Sequence, residues 1–389
     1  MITILTAITK QGEIIVSANY SREFLYDLKQ ISTFKCLQCN EEVILRSGPI
    51  KIPHFAHRRK SECIHSFSEG ESEDHLNGKL QLYSFFLQHN SKPRLEPFIP
   101  KIKQRPDILV HNNHSQVAIE YQCSQILPAI IESRNIGYKQ QQIDPLWILR
   151  TPTISEFPPQ EIGIMQLSAF RQQFFLKTPT NGKMIISYCP QTKFFHYISN
   201  PIHIQSNKYI VKIKKLPMEK QSWPFAVVKR ISYKEYETYI QMYRKQRFKH
   251  IYNLYFYNRK GVQNQFLQVC YRWRLSPKEI PIFIGIPTAY AESFHVHAVE
   301  WQIQWIDYLN RIKVPIEEAN RAHCEAFLLD HPIGRKQSSL FKLEAVQSYL
   351  SILQQCLVKS DTVIYKCKFN SSKMYELLYS DFLAKRPEN

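Results

Sequence analysis

The architecture of this chain follows from the stretch Arg105-Pro106-Asp107-Ile108-Leu109-Val110, a polar turn, and the run Gln116-Val117-Ala118-Ile119-Glu120-Tyr121-Gln122. Both arms are short and rich in β-prone residues, and Asn112-Asn113 suits a tight turn, so the stretch predicts a β-hairpin. With a connection of four or five residues, paired positions sum to about 227, which puts Asp107 opposite Glu120. Gln122 shares a face with Glu120 because strand side chains alternate.

These three side chains bring two carboxylates and an amide oxygen to one end of a sheet. Hard cations such as Mg²⁺ or Mn²⁺ bind oxygen clusters of this kind, usually through one or two carboxylates and the phosphates of a substrate. The spacing therefore indicates a nuclease metal site, with Asp107 and Glu120 as metal ligands. The alternative is a solvated hairpin that carries two acids by chance.

The elements around the hairpin favour the metal site. Ser72 is a plausible N-cap for a helix through His89, and residues 94–99 predict a further strand. Downstream, a helix is predicted over 128–142 and a buried strand over 145–150. The resulting order of helix, three strands, helix and strand resembles the core of the PD-(D/E)xK phosphodiesterase fold, so we expect an α/β core of restriction-endonuclease type.

Glu71, His75 and Lys79 are spaced four residues apart and share one helix face. If the helix lies on the surface, these three side chains form a solvated stripe. If the helix instead precedes the sheet of a nuclease-like core, its face would direct Glu71 or His75 at the metal and Lys79 at a phosphate. The usual motif has lysine at position 122, where it assists the attacking water and offsets developing charge. Gln122 carries no charge. Cleavage would therefore require a positive charge from another residue, and Lys79 is the candidate.

A second cluster predicts structural zinc. Cys36-x-x-Cys39 is followed by a short predicted hairpin that ends at His54-Phe55-Ala56-His57, and Cys63 comes six residues later. Zinc takes four sulfur or nitrogen ligands in a tetrahedron. We favour Cys36, Cys39, His57 and Cys63, with His54 as the alternate, because the two histidines lie on opposite faces of a strand. A redox Cys-x-x-Cys is the rival interpretation, but the βαβ context it requires is absent.

Several of these motifs, in this order, resemble the competence protein CoiA family of naturally transformable bacteria. The residues that carry the resemblance are Cys36-Leu37-Gln38-Cys39, His54-Phe55-Ala56-His57, Glu71-Ser72-x-x-His75-x-x-x-Lys79, Asp107, Glu120-Tyr121-Gln122-Cys123-Ser124, Arg134-x-x-x-Tyr138 and Leu146-Trp147-Ile148-Leu149. They cover about a third of the chain, over residues 30–150. The resemblance implies a role in processing or recombining incoming single-stranded DNA, with other recombination proteins of that pathway as candidate partners.

Composition narrows the class of protein. A net charge of +18 over 389 residues indicates a polyanionic partner. No apolar stretch approaches the roughly 20 residues of a membrane span, and the N-terminus does not resemble a secretion signal. Nine cysteines, an odd number, fit a reducing compartment, so we expect a cytoplasmic protein. Ten glycines and no phosphate-cradling loop make an ATPase a poor fit.

The charge concentrates after the nuclease-like region. Residues 208–274 hold 16 Lys and Arg against three Glu, together with 15 aromatic residues. Basic and aromatic residues together suit single-stranded nucleic acid. We expect DNA contacts from Arg244, Lys245, Arg247 and Lys249, and a phosphate contact from Arg134. The structural alternative is that the basic residues form a solvated face and that the tyrosines at 233, 236, 239 and 243 face a hydrophobic core.

The sequence thus predicts a zinc-binding β-hairpin lobe (residues 1–65), a nuclease-like α/β core (66–155) and a basic, mostly helical C-terminal region (156–389). The leading functional hypothesis is a DNA-binding recombination factor of natural transformation. The alternative is an active Mg²⁺-dependent deoxyribonuclease that hydrolyses phosphodiester bonds.

Overall fold

The N-terminal lobe is an antiparallel sheet with one helix. The computed structural model describes residues 3–58, 63, 72–112, 115–178, 182–225, 231–257, 261–334 and 339–383. The elements of the lobe are β1 (Thr3–Ile4), β2 (Thr6–Thr9), β3 (Ile14–Val16), α1 (Arg22–Ile31), β4 (Phe34–Lys35), β5 (Glu42–Arg46) and β6 (His54–His57). The six strands lie in the order β1-β6-β5-β4-β2-β3. The lobe is therefore larger than the predicted hairpin, and it has an apolar core of its own around Leu25, Phe34 and Phe55.

The predicted hairpin is present. The next elements are α2 (Glu73–Gln88), β7 (Arg94–Leu95), β8 (Ile108–Asn112), β9 (Ser115–Gln122), α3 (Pro128–Gln140) and β10 (Ile143–Arg150). Ile108 pairs with Ile119 in antiparallel β8 and β9, which confirms the predicted register. Asp107, the residue before β8, consequently lies across from Glu120 in β9. Strand β10 runs parallel to β9 on its other side.

A glycine allows α2 to lie close against the sheet. A Cβ atom at Gly78 would overlap the ring of Tyr121 in β9. Glycine inside a helix costs about 1 kcal/mol relative to alanine, and here it permits a contact that a larger residue would block. The close approach brings His75 and Lys79, which flank Gly78 on the helix, to the end of the hairpin.

The sheet does not end at residue 155, where we expected a helical region to begin. Residues 162–217 form β11 (Ile162–Gln166), α4 (Ala169–Gln172), β12 (Leu176–Thr178), β13 (Gly182–Cys189), β14 (Phe194–Gln205) and β15 (Lys208–Pro217). In the described part of the chain the second sheet has nine strands, with the path β11-β15-β14-β13-β10-β9-β8-β7 and β12 beside β13. Strand β14 is buried at most positions, so it lacks the alternation by which a half-exposed strand is identified.

Helices dominate only from residue 233 onward. They are α5 (Tyr233–Phe256), α6 (Gln265–Trp273), α7 (Ala298–Ile312), α8 (Arg321–Asp330), α9 (Ser339–Cys356) and α10 (Ser371–Leu383), with a small sheet of β16 (Leu357–Lys359) and β17 (Lys368–Phe369). Their core includes Trp301, Trp305 and Tyr349. Among the helices of the described residues, none combines the length and apolar character of a membrane span.

The chain divides into two compact units. One comprises residues 1–152, 185–197 and 214–226, and the other residues 153–184, 198–213 and 227–389. The first unit contains the N-terminal lobe, the hairpin and α2, α3 and β10. The second contains α5 and the helices that follow it.

Candidate active site and metal centre

Four residues of the N-terminal lobe form a cluster that could hold a metal ion. The donor atoms of Cys36, Cys39, His57 and Cys63 all lie within 4.8 Å of one another. Three of the four side chains are buried and Cys39 is partly exposed. Tetrahedral zinc with bonds of about 2.3 Å to sulfur would hold two sulfur atoms about 3.8 Å apart, so the cluster has the size that zinc requires. His54 is outside it, and its Nδ1 lies 2.7 Å from the carbonyl oxygen of Ile52.

The thiols of the cluster differ in acidity. Burial opposes ionisation of Cys36, but a hydrogen bond to His57 and the backbone N–H groups of Cys39 and Gln38 outweigh it and lower the pKa of Cys36 to about 6. Burial, together with the sulfur atoms of Cys39 and Cys36, raises the pKa of Cys63 to about 12. Zinc binds the thiolate form of cysteine. Cys36 is therefore already suited to a metal, whereas Cys63 must lose a proton on binding.

Asp107 is held at the hairpin end by three donors. Its Oδ2 accepts the backbone N–H of Tyr121 at 2.8 Å and lies 3.4 Å from His75 Nε2, while its Oδ1 lies 3.6 Å from Lys79 Nζ. Burial raises the pKa of this carboxyl, but the charges of Lys79 and His75 and the Tyr121 amide more than compensate and hold it well below the ordinary range. Asp107 is therefore an ionised carboxylate.

Lys79 is paired with Glu96, a residue that sequence reasoning missed. Lys79 Nζ lies 2.5 Å from Glu96 Oε1, and both side chains are essentially inaccessible to solvent. Glu96 Oε2 accepts the backbone N–H of Leu5 in the N-terminal lobe at 2.8 Å. Because Lys79 is fully buried, it acts on the site through Asp107 and is not exposed to a phosphate.

Glu120 is held by the helix that follows the hairpin. Arg134 Nε donates to Glu120 Oε1 at 3.1 Å, and Arg134 Nη2 and the Tyr138 hydroxyl also donate to the same oxygen. Burial raises the pKa of Glu120 in opposition to Arg134, and the charge of Asp107 adds to the rise. Arg134 thus positions a carboxylate, whereas the phosphate contact that we expected of it stays a prediction.

A cavity of about 500 Å³ opens beside the two acids. Its walls include Asp107, Glu120, Gln122, Arg134 and Gln38, the last from the Cys36-x-x-Cys39 turn. The Gln122 amide nitrogen donates to the Ser124 carbonyl at 2.8 Å. The structure thus brings together His75, Lys79, Asp107, Glu120 and Gln122. Glu71 lies outside the described residues.

The expected DNA-contacting residues on α5 fall into two groups. Arg244, Lys245 and Lys249 are exposed. Arg247 is largely buried and donates to the carbonyl oxygens of Ile284, Ile280 and Pro281 at 2.7–3.2 Å. Its guanidinium group therefore ties α5 to the segment before α7 and has few donors left for a phosphate.

The tyrosines of the same helix mostly face the core. Tyr236, Tyr239 and Tyr243 are buried, with relative exposures of 2%, 0% and 2%, whereas Tyr233 is 56% exposed. The alternative in which these tyrosines face a hydrophobic core is therefore confirmed for three of the four residues.

Comparison with known proteins assigns two segments of the chain. Residues 17–66 match the family described as Competence protein CoiA, N-terminal domain, and residues 71–231 match Competence protein CoiA, nuclease-like domain. The Competence protein CoiA of Bacillus subtilis (strain 168) is 34% identical over 187 residues, which are 48% of this chain and 48% of the relative. The match thus spans about half the length of that curated relative. No solved structure matches the chain.

Proposed function

The chain belongs to the competence protein CoiA family, and on that premise we propose that it is a DNA-processing and recombination factor of natural transformation. In this proposal it binds incoming single-stranded DNA through a basic surface and a nuclease-like core of PD-(D/E)xK type. The observation that carries the proposal is the pair Asp107 and Glu120 at one end of the hairpin, beside a cavity of about 500 Å³. A cavity of that size lies within the range of small-molecule and cofactor sites.

The chain's own groups would orient and neutralise a nucleotide in this cavity. Lys79 and His75 keep Asp107 ionised, and Arg134 and Tyr138 fix Glu120. A Mg²⁺ or Mn²⁺ ion, if bound, would be held by Asp107, Glu120 and Gln122 and would polarise a phosphodiester group. Arg134 lines the cavity and adds positive charge next to the site.

An active Mg²⁺-dependent deoxyribonuclease is the second candidate function. The observation that favours it is the distance of 3.6 Å between Lys79 Nζ and Asp107 Oδ1. The usual motif has a positive charge at the strand position of Gln122. Here Lys79 of helix α2 would supply that charge. In this proposal, the lysine charge that supports a phosphodiesterase acts through Asp107 and not by direct contact with substrate.

A cleavage assay distinguishes the two functions. End-labelled single-stranded and double-stranded DNA would be incubated with wild-type protein and the Asp107→Ala variant in Mg²⁺ or in Mn²⁺. The matched control is Asp144→Ala, which removes an exposed acid of β10. Metal-dependent cutting that Asp107→Ala abolishes and Asp144→Ala retains would establish the deoxyribonuclease. Binding of single strands without cutting would support the recombination factor, and failure to bind DNA would refute both.

The exposed basic residues of α5 and the cysteine cluster have supporting roles in this proposal. Arg244, Lys245 and Lys249 contribute a sequence-independent attraction for phosphates. Zinc at Cys36, Cys39, His57 and Cys63 stabilises the lobe whose Cys36-x-x-Cys39 turn lines the cavity. The protein is proposed to act in the cytoplasm, a reducing compartment in which none of the nine cysteines needs a disulfide partner.

A further inference from the structure

Five exposed aromatic side chains gather at the carboxyl-terminal end of α5. We call them the α5 aromatic patch: Phe248, Tyr252, Tyr255, Phe256 and Tyr257, with relative exposures of 60%, 40%, 50%, 51% and 70%. The ring centroids of Tyr252 and Phe256 are 4.4 Å apart, and those of Tyr255 and Phe256 are 4.7 Å apart. Single exposed apolar residues are ordinary, but a contiguous group of this size marks an interaction surface.

The sequence around the patch is rich in basic residues, and the nearest acidic residues along the chain are Glu237 and Glu279. Residues 238–278 contain nine Lys and Arg and no Asp or Glu. Lys245 and Lys249 are exposed on the same helix. Lys278 is also exposed and lines a depression of about 30 Å³ together with Phe248, Tyr252, Tyr255 and Phe256. The ligand should therefore be negatively charged and should also present flat apolar surface to the rings.

We propose that the α5 aromatic patch is a stacking platform for the unpaired bases of single-stranded nucleic acid. Such a strand joins an anionic backbone to exposed base faces, whereas a duplex hides the faces of its bases. Base stacking on aromatic side chains is how proteins bind single strands with little sequence preference. The proposal rests on the proposed function, and it adds to that function a site on α5 that would hold the bases of the single strand by stacking.

The helix sets the spacing of the platform. Phe248, Tyr252 and Phe256 are four residues apart, so they lie on successive turns of one face, with Cα atoms about 6 Å apart along the axis. Nucleotides bound at that spacing would be extended beyond their stacked separation. The patch then accommodates roughly two or three bases along a single strand.

Fluorescence anisotropy with the full-length protein tests the proposal. Labelled oligo-dT, an abasic strand of equal length and a duplex would be titrated with wild type, Tyr252→Ser and Phe256→Ser. Tyr271→Ser is the matched control, because Tyr271 is an 86% exposed tyrosine of α6 outside the patch. We expect each patch variant to bind oligo-dT about tenfold more weakly, with an unchanged salt slope, while Tyr271→Ser binds as wild type does. Wild type should prefer oligo-dT to the abasic strand.

Several outcomes would overturn the platform. Equal affinity of wild type for oligo-dT and the abasic strand would do so, as would patch variants that bind oligo-dT normally. If those variants instead changed self-association or binding to anionic vesicles, the patch would be a protein or lipid surface. A wild-type protein that binds no DNA at all would refute the proposed function itself, which is a separate result. Melting temperatures would establish that the variants are folded.

Discussion

The ammonium group of Lys79 lies 2.5 Å from the carboxylate of Glu96, and neither side chain reaches solvent. The pair joins three parts of the molecule. Lys79 belongs to α2 and faces Asp107, while Glu96 follows β7 and accepts the Leu5 amide from the N-terminal lobe. A buried ion pair is weak evidence for net stabilisation, but removing one partner strands the other charge in a medium of low polarity.

Glu96→Gln should therefore destabilise the first unit strongly. We expect its free energy of unfolding to fall by an amount at the lower end of about 3–5 kcal/mol, because Lys79 keeps its charge and loses its nearest carboxylate, while Asp107 at 3.6 Å remains. Urea unfolding measures the change. The double variant Lys79→Met/Glu96→Leu is the matched test. It should recover part of the loss, since the Lys79–Glu96 pair is replaced by apolar groups, while Asp107 keeps His75 and the Tyr121 amide as partners and the Leu5 N–H loses its acceptor. A loss as small as that of a surface pair, below about 1 kcal/mol, would contradict this account.

The cysteine cluster should contain about one zinc ion per chain, as its four donors allow. Metal analysis of the purified protein measures the content. Cys39→Ser should abolish it and lower the melting temperature, whereas Cys189→Ser, at a free cysteine outside the cluster, should change neither. Metal-free protein with a native circular dichroism spectrum and an unchanged melting temperature would refute the zinc site.

Divalent metal at the acid pair should raise the melting temperature by mass action. Asp107 and Glu120 repel each other, and a bound cation relieves that repulsion. The shift on adding Mg²⁺ or Mn²⁺ should be larger for wild type than for Glu120→Gln, each compared with its own metal-free melt. Asp144→Asn should shift as wild type does. Equal shifts in wild type and Glu120→Gln would mean that these acids hold no ion.

The basic residues of α5 should differ in what they do for DNA binding. Reversing the charge of Arg244, Lys245 and Lys249 should weaken binding of single strands and flatten its log–log salt slope by about 0.7 for each phosphate that is no longer neutralised. Lys359→Glu, at an exposed lysine of β16, is the matched control. Arg247→Gln should instead lower the melting temperature, since it removes hydrogen bonds to three carbonyls. An unchanged slope in the triple variant would exclude this face of α5.

Acid should destabilise the protein partly through His203. Burial lowers the pKa of this histidine to about 4, and its Nε2 donates to the Ser206 carbonyl at 3.0 Å. An unfolded histidine has a pKa of about 6.5, so between these values the unfolded chain binds the extra proton. The free energy of unfolding should accordingly fall as the pH drops from about 6.5 to about 4, with no contribution above that window.

His203→Gln tests this assignment, because it should reduce the slope of unfolding free energy against pH within the window. His111→Gln, at an exposed histidine, is the matched control. If the slope of His203→Gln equals that of wild type, other groups account for the acid sensitivity.

Local chemistry explains what could be predicted from the sequence. The hairpin register follows from turn length and alternation, both of which are local, and the observed pairing of Ile108 with Ile119 agrees. The helix that starts after Ser72 was identifiable because the Ser72 side chain accepts the His75 amide as an N-cap. The four-ligand cluster followed from the short spacing of Cys36, Cys39, His57 and Cys63.

Long-range packing explains what could not be predicted. Glu96 gives no signal by spacing, since its two partners are 17 and 91 residues away. Arg247 shares a basic run with Lys245 and Lys249, and only the fold decides that it turns inward. Strand β14 was missed because both of its faces are covered, which removes the alternation of polar and apolar residues.

The parallel pairing of β10 determines where the protein can be truncated. Leu146, Trp147, Ile148 and Leu149 pair with β9 on one side, and Ile148 also faces Ile186 of β13 on the other. A fragment that ends at residue 155 would leave this apolar edge without its neighbour, and open edges of that kind recruit strands from other molecules. Such a fragment should precipitate during refolding. One that continues beyond β15 would keep the edge covered.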